Sequence, residues 1–131
     1  MADKLIKDGT EWRAQLTPLQ YAVLREKATE RPFTGEYEKT TTEGTYCCAG
    51  CGQPLFESDA KFDAGVGWPS FTRPAAEKNI ETTVDTSDGR TRTEVLCARC
   101  NGHLGHVYPD APTPTGLRYC INSAALNLKP K

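Results

Sequence analysis

The chain carries six cysteines and two histidines among 131 residues, and their spacing sorts them by chemistry. Cys48-Ala49-Gly50-Cys51 and Cys97-Ala98-Arg99-Cys100 are two Cys-x-x-Cys knuckles with 45 residues between them. Two thiolates of one turn can reach a single ion about 2.3 Å away, and a second pair from a distant stretch closes the tetrahedron. Four thiolates leave no open coordination position, so one structural Zn²⁺ per chain is expected at Cys48, Cys51, Cys97 and Cys100, with no part in catalysis. A redox-active Cys-x-x-Cys would need a βαβ pattern, which is not evident, and paired disulfides would need an oxidising compartment. A site built from Cys97, Cys100, His103 and His106 would place histidines far closer to the cysteines than the roughly 12–15 residues of a zinc finger. Cys47 could replace Cys48 as a ligand, but the two-residue spacing in both knuckles favours Cys48.

Cys47 and Cys120 fall outside this pattern. In Gly116-Leu117-Arg118-Tyr119-Cys120-Ile121-Asn122-Ser123 a period of two puts Arg118, Cys120 and Asn122 on one face of a strand. There the cation would favour the thiolate, the reactive form of cysteine. The plainer reading is a small buried apolar side chain. His103 and His106 tilt the balance, because a cysteine with histidines and an arginine is a candidate nucleophile whose protons the imidazoles can move. Taken singly, each histidine reads as structural and Trp68 as core.

The elements that must position these groups are partly legible. Thr17-Pro18-Leu19-Gln20 has the form of a capping box with proline at the first helical position, predicting a helix from about Pro18 to Glu30 that ends before Pro32 and covers one face of a sheet. Residues 1–15 read as an N-terminal arm and residues 35–128 as a β-rich body. Asn79–Val84 and Arg90–Leu96 form a predicted hairpin around Asp88-Gly89. Glu81, Asp85, Arg90, Arg92 and Glu94 alternate with its apolar and threonine positions and read as a solvated side without function. Tyr108–Gly116, with prolines at 109, 112 and 114, is a stiffened loop leading into the Cys120 strand.

Composition bounds the class. Apolar residues make up 37% and charged residues 25%, which suits one globular domain. A net charge of −1, with 16 basic and 17 acidic residues and no run of like charge, argues against a nucleic-acid partner. The N-terminus has no apolar signal region, and no run of about 18 apolar residues exists, so a soluble cytoplasmic protein without membrane attachment is expected.

The knuckles, together with Lys61-Phe62-Asp63-Ala64-Gly65-Val66-Gly67-Trp68-Pro69-Ser70-Phe71, Gly102-His103-Leu104-Gly105-His106 and the Gly116–Ser123 stretch, resemble the methionine-R-sulfoxide reductase B family over about Leu16 to Leu126. The resemblance implies a mainly β fold of two antiparallel sheets packed together with short N-terminal helices and the zinc site. It implies reduction of the R epimer of methionine sulfoxide, in oxidised proteins or peptides and less well free, by a monomer that thioredoxin or a similar thiol recharges. Cys120 would attack the sulfoxide sulfur and become a sulfenic acid, His103 and His106 would bind and protonate the oxygen, and Asn122 and Arg118 would hold geometry and charge. Trp68 would pack the substrate methyl group, with Phe71 beside it.

One position departs from the family pattern: many members carry a recycling cysteine where this chain has Val66. Cys47 is then the remaining candidate to resolve the sulfenic acid as a disulfide. The alternative is that Cys47 is a buried bystander and an external thiol acts directly. Two other readings of the chain are a zinc-ribbon-like binding module without catalysis and a Cys–His acyl-transfer enzyme, the latter without a residue pattern for an oxyanion hole.

Overall fold

Thr17 starts the principal helix as its sequence demands. Its side chain accepts from the Gln20 N–H at 3.1 Å, and the Gln20 side chain accepts from the Thr17 N–H at 2.9 Å. In the computed structural model, which describes residues 9–87, 89–109, 111 and 113–131, this helix, α2, spans Pro18–Glu26. It stops short of the predicted Glu30 because Lys27 adopts the left-handed conformation, with φ of 60°, and the Ala28 N–H returns to the Ala22 carbonyl at 2.9 Å. The early exit frees Thr29 and Glu30 to run alongside the cleft described below. A shorter helix, α1 (Gly9–Gln15), replaces the whole described part of the expected arm and buries Trp12. Residues 1–8 of that arm, Asp88 of the predicted turn, and Asp110 and Pro112 of the proline loop lie outside the described residues.

The body is β. Strands β1 (Gly44–Cys48), β2 (Pro54–Glu57) and β9 (Leu126–Pro130) form a three-stranded antiparallel sheet in the order β2-β1-β9. Strands β3 (Lys61–Phe62), β4 (Ser70–Phe71), β5 (Ile80–Asp85), β6 (Arg92–Cys97), β7 (His103–Tyr108) and β8 (Arg118–Ile121) form a six-stranded antiparallel sheet in the order β3-β4-β8-β7-β6-β5. The predicted hairpin is β5 and β6, with Gly89 at φ of 85° in its turn.

The two sheets pack through aromatic rings. Phe56 of β2 stacks on Phe71 of β4 at 4.4 Å between centroids, Tyr46 of β1 meets Phe71 edge-on at 5.2 Å, and Phe56 lies 5.7 Å from Tyr119 of β8. All four residues are buried. Because side chains alternate along a strand, Tyr119 and Ile121 facing this core commit Arg118 and Cys120 to the opposite face of the large sheet. Among the described residues, no helix is long and apolar enough to cross a membrane.

Candidate active site

Cys120 sits in the middle of a row of cross-strand partners, with Ser70 of β4 on one side and His106 of β7 on the other. His106 in turn pairs with Glu94 of β6. Two residues along, Arg118 pairs with Tyr108, so the same face carries a second polar row. The Arg118 guanidinium donates to the Cys120 Sγ at 2.9 Å while lying over the Tyr108 ring, 4.6 Å from its centroid. A cation held there by stacking and by strand geometry would favour the thiolate form of that sulfur over the thiol.

His103 and His106 are three residues apart, and a regular strand would send them to opposite faces. Pairing with β6 shifts register between Val95 and Leu96, so that Val95 faces Gly105 while Leu96 faces His103, leaving Leu104 as an extra residue. This β-bulge puts both imidazoles on the same side, 5.5 Å apart. It also frees the Leu104 carbonyl, which accepts from both the backbone N–H (2.9 Å) and the side-chain amide (3.0 Å) of Asn122.

Each imidazole has its own carboxylate. His103 Nδ1 lies 2.8 Å from Glu94, and His106 Nε2 lies 2.7 Å from Asp85. Hydrogen bonds from His106 and from the Ser87 N–H hold the Asp85 carboxyl well below the usual carboxylate range. An ionised Asp85 only accepts, so His106 carries its hydrogen on Nε2. Burial pushes His103 below the ordinary imidazole value, opposed by Glu94, and its Nε2 is buried without a hydrogen-bond partner. Lys27 approaches Glu94 at 3.4 Å and Arg92 approaches Asp85 at 3.4 Å, so each carboxylate also faces a cation. Asp85 and Glu94 were expected on a solvated side. The two-residue period identified their faces, but only the pairing of β6 with β7 reveals that one such face is covered by the histidines.

Cys120, Arg118 and His106 border a cleft of about 240 Å³, lined also by Thr29, Val66, Trp68, Arg90, Arg92, Gly105, Tyr108 and Asn122. The lining combines the Trp68 and Tyr108 rings and Val66 with the polar side chains of Arg90, Arg92, His106, Arg118 and Asn122. The Trp68 indole N–H donates to the Glu30 carbonyl at 3.0 Å, which fixes the ring. A second cleft, of about 410 Å³ between Glu38 and Asp63, contains none of the cysteines or histidines, so volume alone does not mark the site.

Three expected site residues are not among those that line the cleft: His103, buried against Glu94, Phe71 and Cys47. Phe71 neighbours Ser70, which faces Cys120, and therefore points the other way, fully buried in the stacked core; it supports the sheet from behind and does not line the cleft. Cys47 alternates with the core-facing Tyr46 and Cys48 on β1, and pairs with the exposed Asn127. It therefore lies on the outer face of the small sheet, as Cys120 lies on the outer face of the large one. Packed sheets stand about 10 Å apart, whereas a disulfide needs Cα atoms within about 7 Å. Burial further pushes the Cys47 thiol up, away from the nucleophilic form.

The knuckles do come together. The four sulfurs of Cys48, Cys51, Cys97 and Cys100 lie within 4.8 Å of one another, with Cys48–Cys100 at 3.7 Å and Cys51–Cys97 at 3.5 Å. A tetrahedron with Zn–S bonds of ~2.3 Å has edges of ~3.8 Å, so the set fits zinc. Sharing of hydrogens among these sulfurs drives Cys100 down, through Cys48 first, and Cys97 up, through Cys100 first; four thiolates can coexist there only around a cation. The helices close over this cluster. Arg25 donates to the Cys100 carbonyl at 2.7 Å and lies over Trp12, and Gln15 donates to the Gly50 carbonyl at 2.6 Å.

The SelR domain matches residues 16–130 of this chain. The chain belongs to that family. It is 69% identical over 129 residues to the peptide methionine sulfoxide reductase MsrB of Bradyrhizobium diazoefficiens, covering 98% of this chain and 93% of the relative. It is 58% identical over 131 residues to the MsrB of Chromohalobacter salexigens, covering 99% and 98%, and 58% identical over 125 residues to that of Thiobacillus denitrificans, covering 95% of each.

Proposed function

We propose that the protein is a peptide-methionine (R)-S-oxide reductase with Cys120 as nucleophile. The observation that carries the reading is the cleft face on which Arg118 holds the Cys120 sulfur, with His106 its direct neighbour on the next strand. Membership of the SelR family and the names of its relatives supply the substrate class. A sulfoxide is polar at oxygen and apolar at its methyl group, which suits a cleft lined by both the His106 imidazole and the Trp68 ring.

The Cys120 thiolate attacks the sulfoxide sulfur and forms an S–S bond, while protons from the His106–Asp85 or His103–Glu94 pair and from solvent let the oxygen leave as water. Water then attacks the Cys120 sulfur and the S–S bond breaks, giving methionine and the Cys120 sulfenic acid: the substrate sulfur is reduced by two electrons and Cys120 oxidised by two. Arg118 holds charge at the thiolate and Asn122 fixes the end of its strand. An external thiol then attacks the sulfenic sulfur, releasing water, and a second thiol frees Cys120; thioredoxin or a similar dithiol supplies both. The separation of Cys47 from Cys120 favours this route over an internal disulfide. Zinc on the four knuckle cysteines would hold the scaffold. The protein acts as a cytoplasmic monomer on oxidised proteins or peptides.

The test is turnover of a racemic methionine sulfoxide peptide. Wild type should consume the R half only, and Cys120→Ser should fall to background; consumption of the S epimer, or an active serine variant, overturns the reading. After one turnover without reductant, a sulfenic-acid trap should label Cys120, and Cys47→Ser should retain wild-type turnover.

A further inference from the structure

Trp68 precedes β4 and Asn122 follows β8; these strands pair, and the Ile121 N–H donates to the Pro69 carbonyl at 2.9 Å, but that ladder stops one residue short of each side chain's own residue. A single residue, Glu30, binds both. Its backbone N–H donates to the Asn122 side-chain oxygen at 2.9 Å, and its carbonyl accepts from the Trp68 indole at 3.0 Å. The other end of the Asn122 amide donates to the Leu104 carbonyl at 3.0 Å, so its orientation is determined at both ends. Glu30 lies beyond the end of α2 and outside any strand, so no ladder of regular hydrogen bonds holds its peptide in place. Its side chain does. One carboxylate oxygen accepts from the Ala124 N–H at 2.9 Å, in the turn that directly follows Asn122, and the residue is only 4% exposed. The other oxygen is buried with no hydrogen-bond partner. A carboxylate kept inside on such terms is costly, and such costs persist where the surrounding geometry depends on them.

We infer that Glu30 is a positioning residue of the reductase: its buried carboxylate anchors the chain after α2 so that one peptide unit holds Trp68 and Asn122 in place around the Cys120 cleft. The inference rests on the reading of those three residues given above. Both of its contacts to the cleft are main-chain, so replacing the carboxylate disturbs them without deleting a group that touches substrate.

The experiment compares Glu30→Ala and Glu30→Gln with wild type in steady-state turnover, thermal melting and ¹H–¹⁵N spectra, with the Trp68 indole signal assigned by its loss in Trp68→Phe. Glu30→Ala should lower kcat/KM by about 10- to 100-fold, the usual cost of a small misplacement, and should move the Trp68 indole resonance. Glu30→Gln, which keeps the accepting oxygen and the volume, should restore both. A folded Glu30→Ala protein with an unmoved indole signal and wild-type kcat/KM overturns the inference, even if its melting temperature falls. If Glu30→Ala does not fold, Glu30→Asp decides: a shifted indole and reduced kcat/KM support the role, and wild-type behaviour overturns it. Absence of turnover in the wild type would sink the reductase reading while the indole shift still reports on the anchor.

Discussion

Arg118 reaches the Cys120 sulfur across 2.9 Å from two residues away on the same strand face, and Tyr108 holds it there. Removing a charge so placed changes thiolate population more than structure. Arg118→Leu should slow alkylation of Cys120 by iodoacetamide at pH 7 about tenfold, and an unchanged rate would remove Arg118 from the chemistry. The burial of His103 registers in stability. Its folded value lies below the unfolded one, so the unfolded chain binds the proton first as pH falls. Stability is therefore fully present above about pH 6.5 and declines below it. Asp85, also depressed, adds a second decline below about pH 4. Denaturant midpoints at pH 7.5 and 5.5, in excess zinc, should fall with pH more in wild type than in His103→Asn. Arg118, Cys120 and Asn122 were legible because a strand period is a local property of sequence. Glu94 and Asp85 were not, because whether a charged strand face meets water or a histidine depends on which strand lies next to it.

At the level of elements, the cleft depends on β7 lying unusually close to β8. A Cβ built on Gly105 would collide with the backbone oxygen of Cys120, and a backbone atom cannot swing aside as a side-chain tip can. Gly105→Ala should therefore cost about 1–3 kcal/mol, read as a lower denaturant midpoint. It should also depress turnover in the folded fraction, since the displaced strand carries Cys120, the proposed nucleophile; a variant with wild-type midpoint and rate would show that the strands can separate freely. The bulge at Leu104 belongs to the same element. Gly102-His103-Leu104-Gly105-His106 advertises two histidines, but their three-residue spacing contradicts a regular strand, and only the shifted register of β6 against β7 reconciles them. The capping box at Thr17 was readable for the opposite reason: it is written in four consecutive residues. The end of α2 was not, because Lys27 carries no left-handed preference, and its conformation follows from where the chain must go next, towards Glu30 and the cleft. Phe71 misled similarly. An aromatic next to Trp68-Pro69-Ser70 is as compatible with a pocket as with a core, and alternation against Ser70 decides for the core.

On the scale of the whole molecule, the knuckles offer a second joint, beside the shared aromatic core, between the two sheets. Cys48–Cys51 forms the turn between β1 and β2 of the small sheet, and Cys97–Cys100 forms the turn between β6 and β7 of the large one, three residues before His103. One ion on the four sulfurs would therefore clip a hairpin of each sheet together, and α1 and α2 dock beside the four cysteines through Trp12 and Arg25. Binding energies of roughly 10–16 kcal/mol for such sites match the whole stability of a domain, about 5–15 kcal/mol, so the apo protein should not hold its native core. Dialysis against a strong chelator should abolish the near-ultraviolet circular dichroism of the packed aromatics together with turnover, and zinc should restore both. Native mass spectrometry of the untreated protein should find one zinc per chain. Protein proven metal-free that still melts cooperatively at the original temperature would mean that the aromatic core alone joins the sheets. Loss of turnover with the core signal intact would instead place the metal in the chemistry, against a coordination set that four cysteines fill completely.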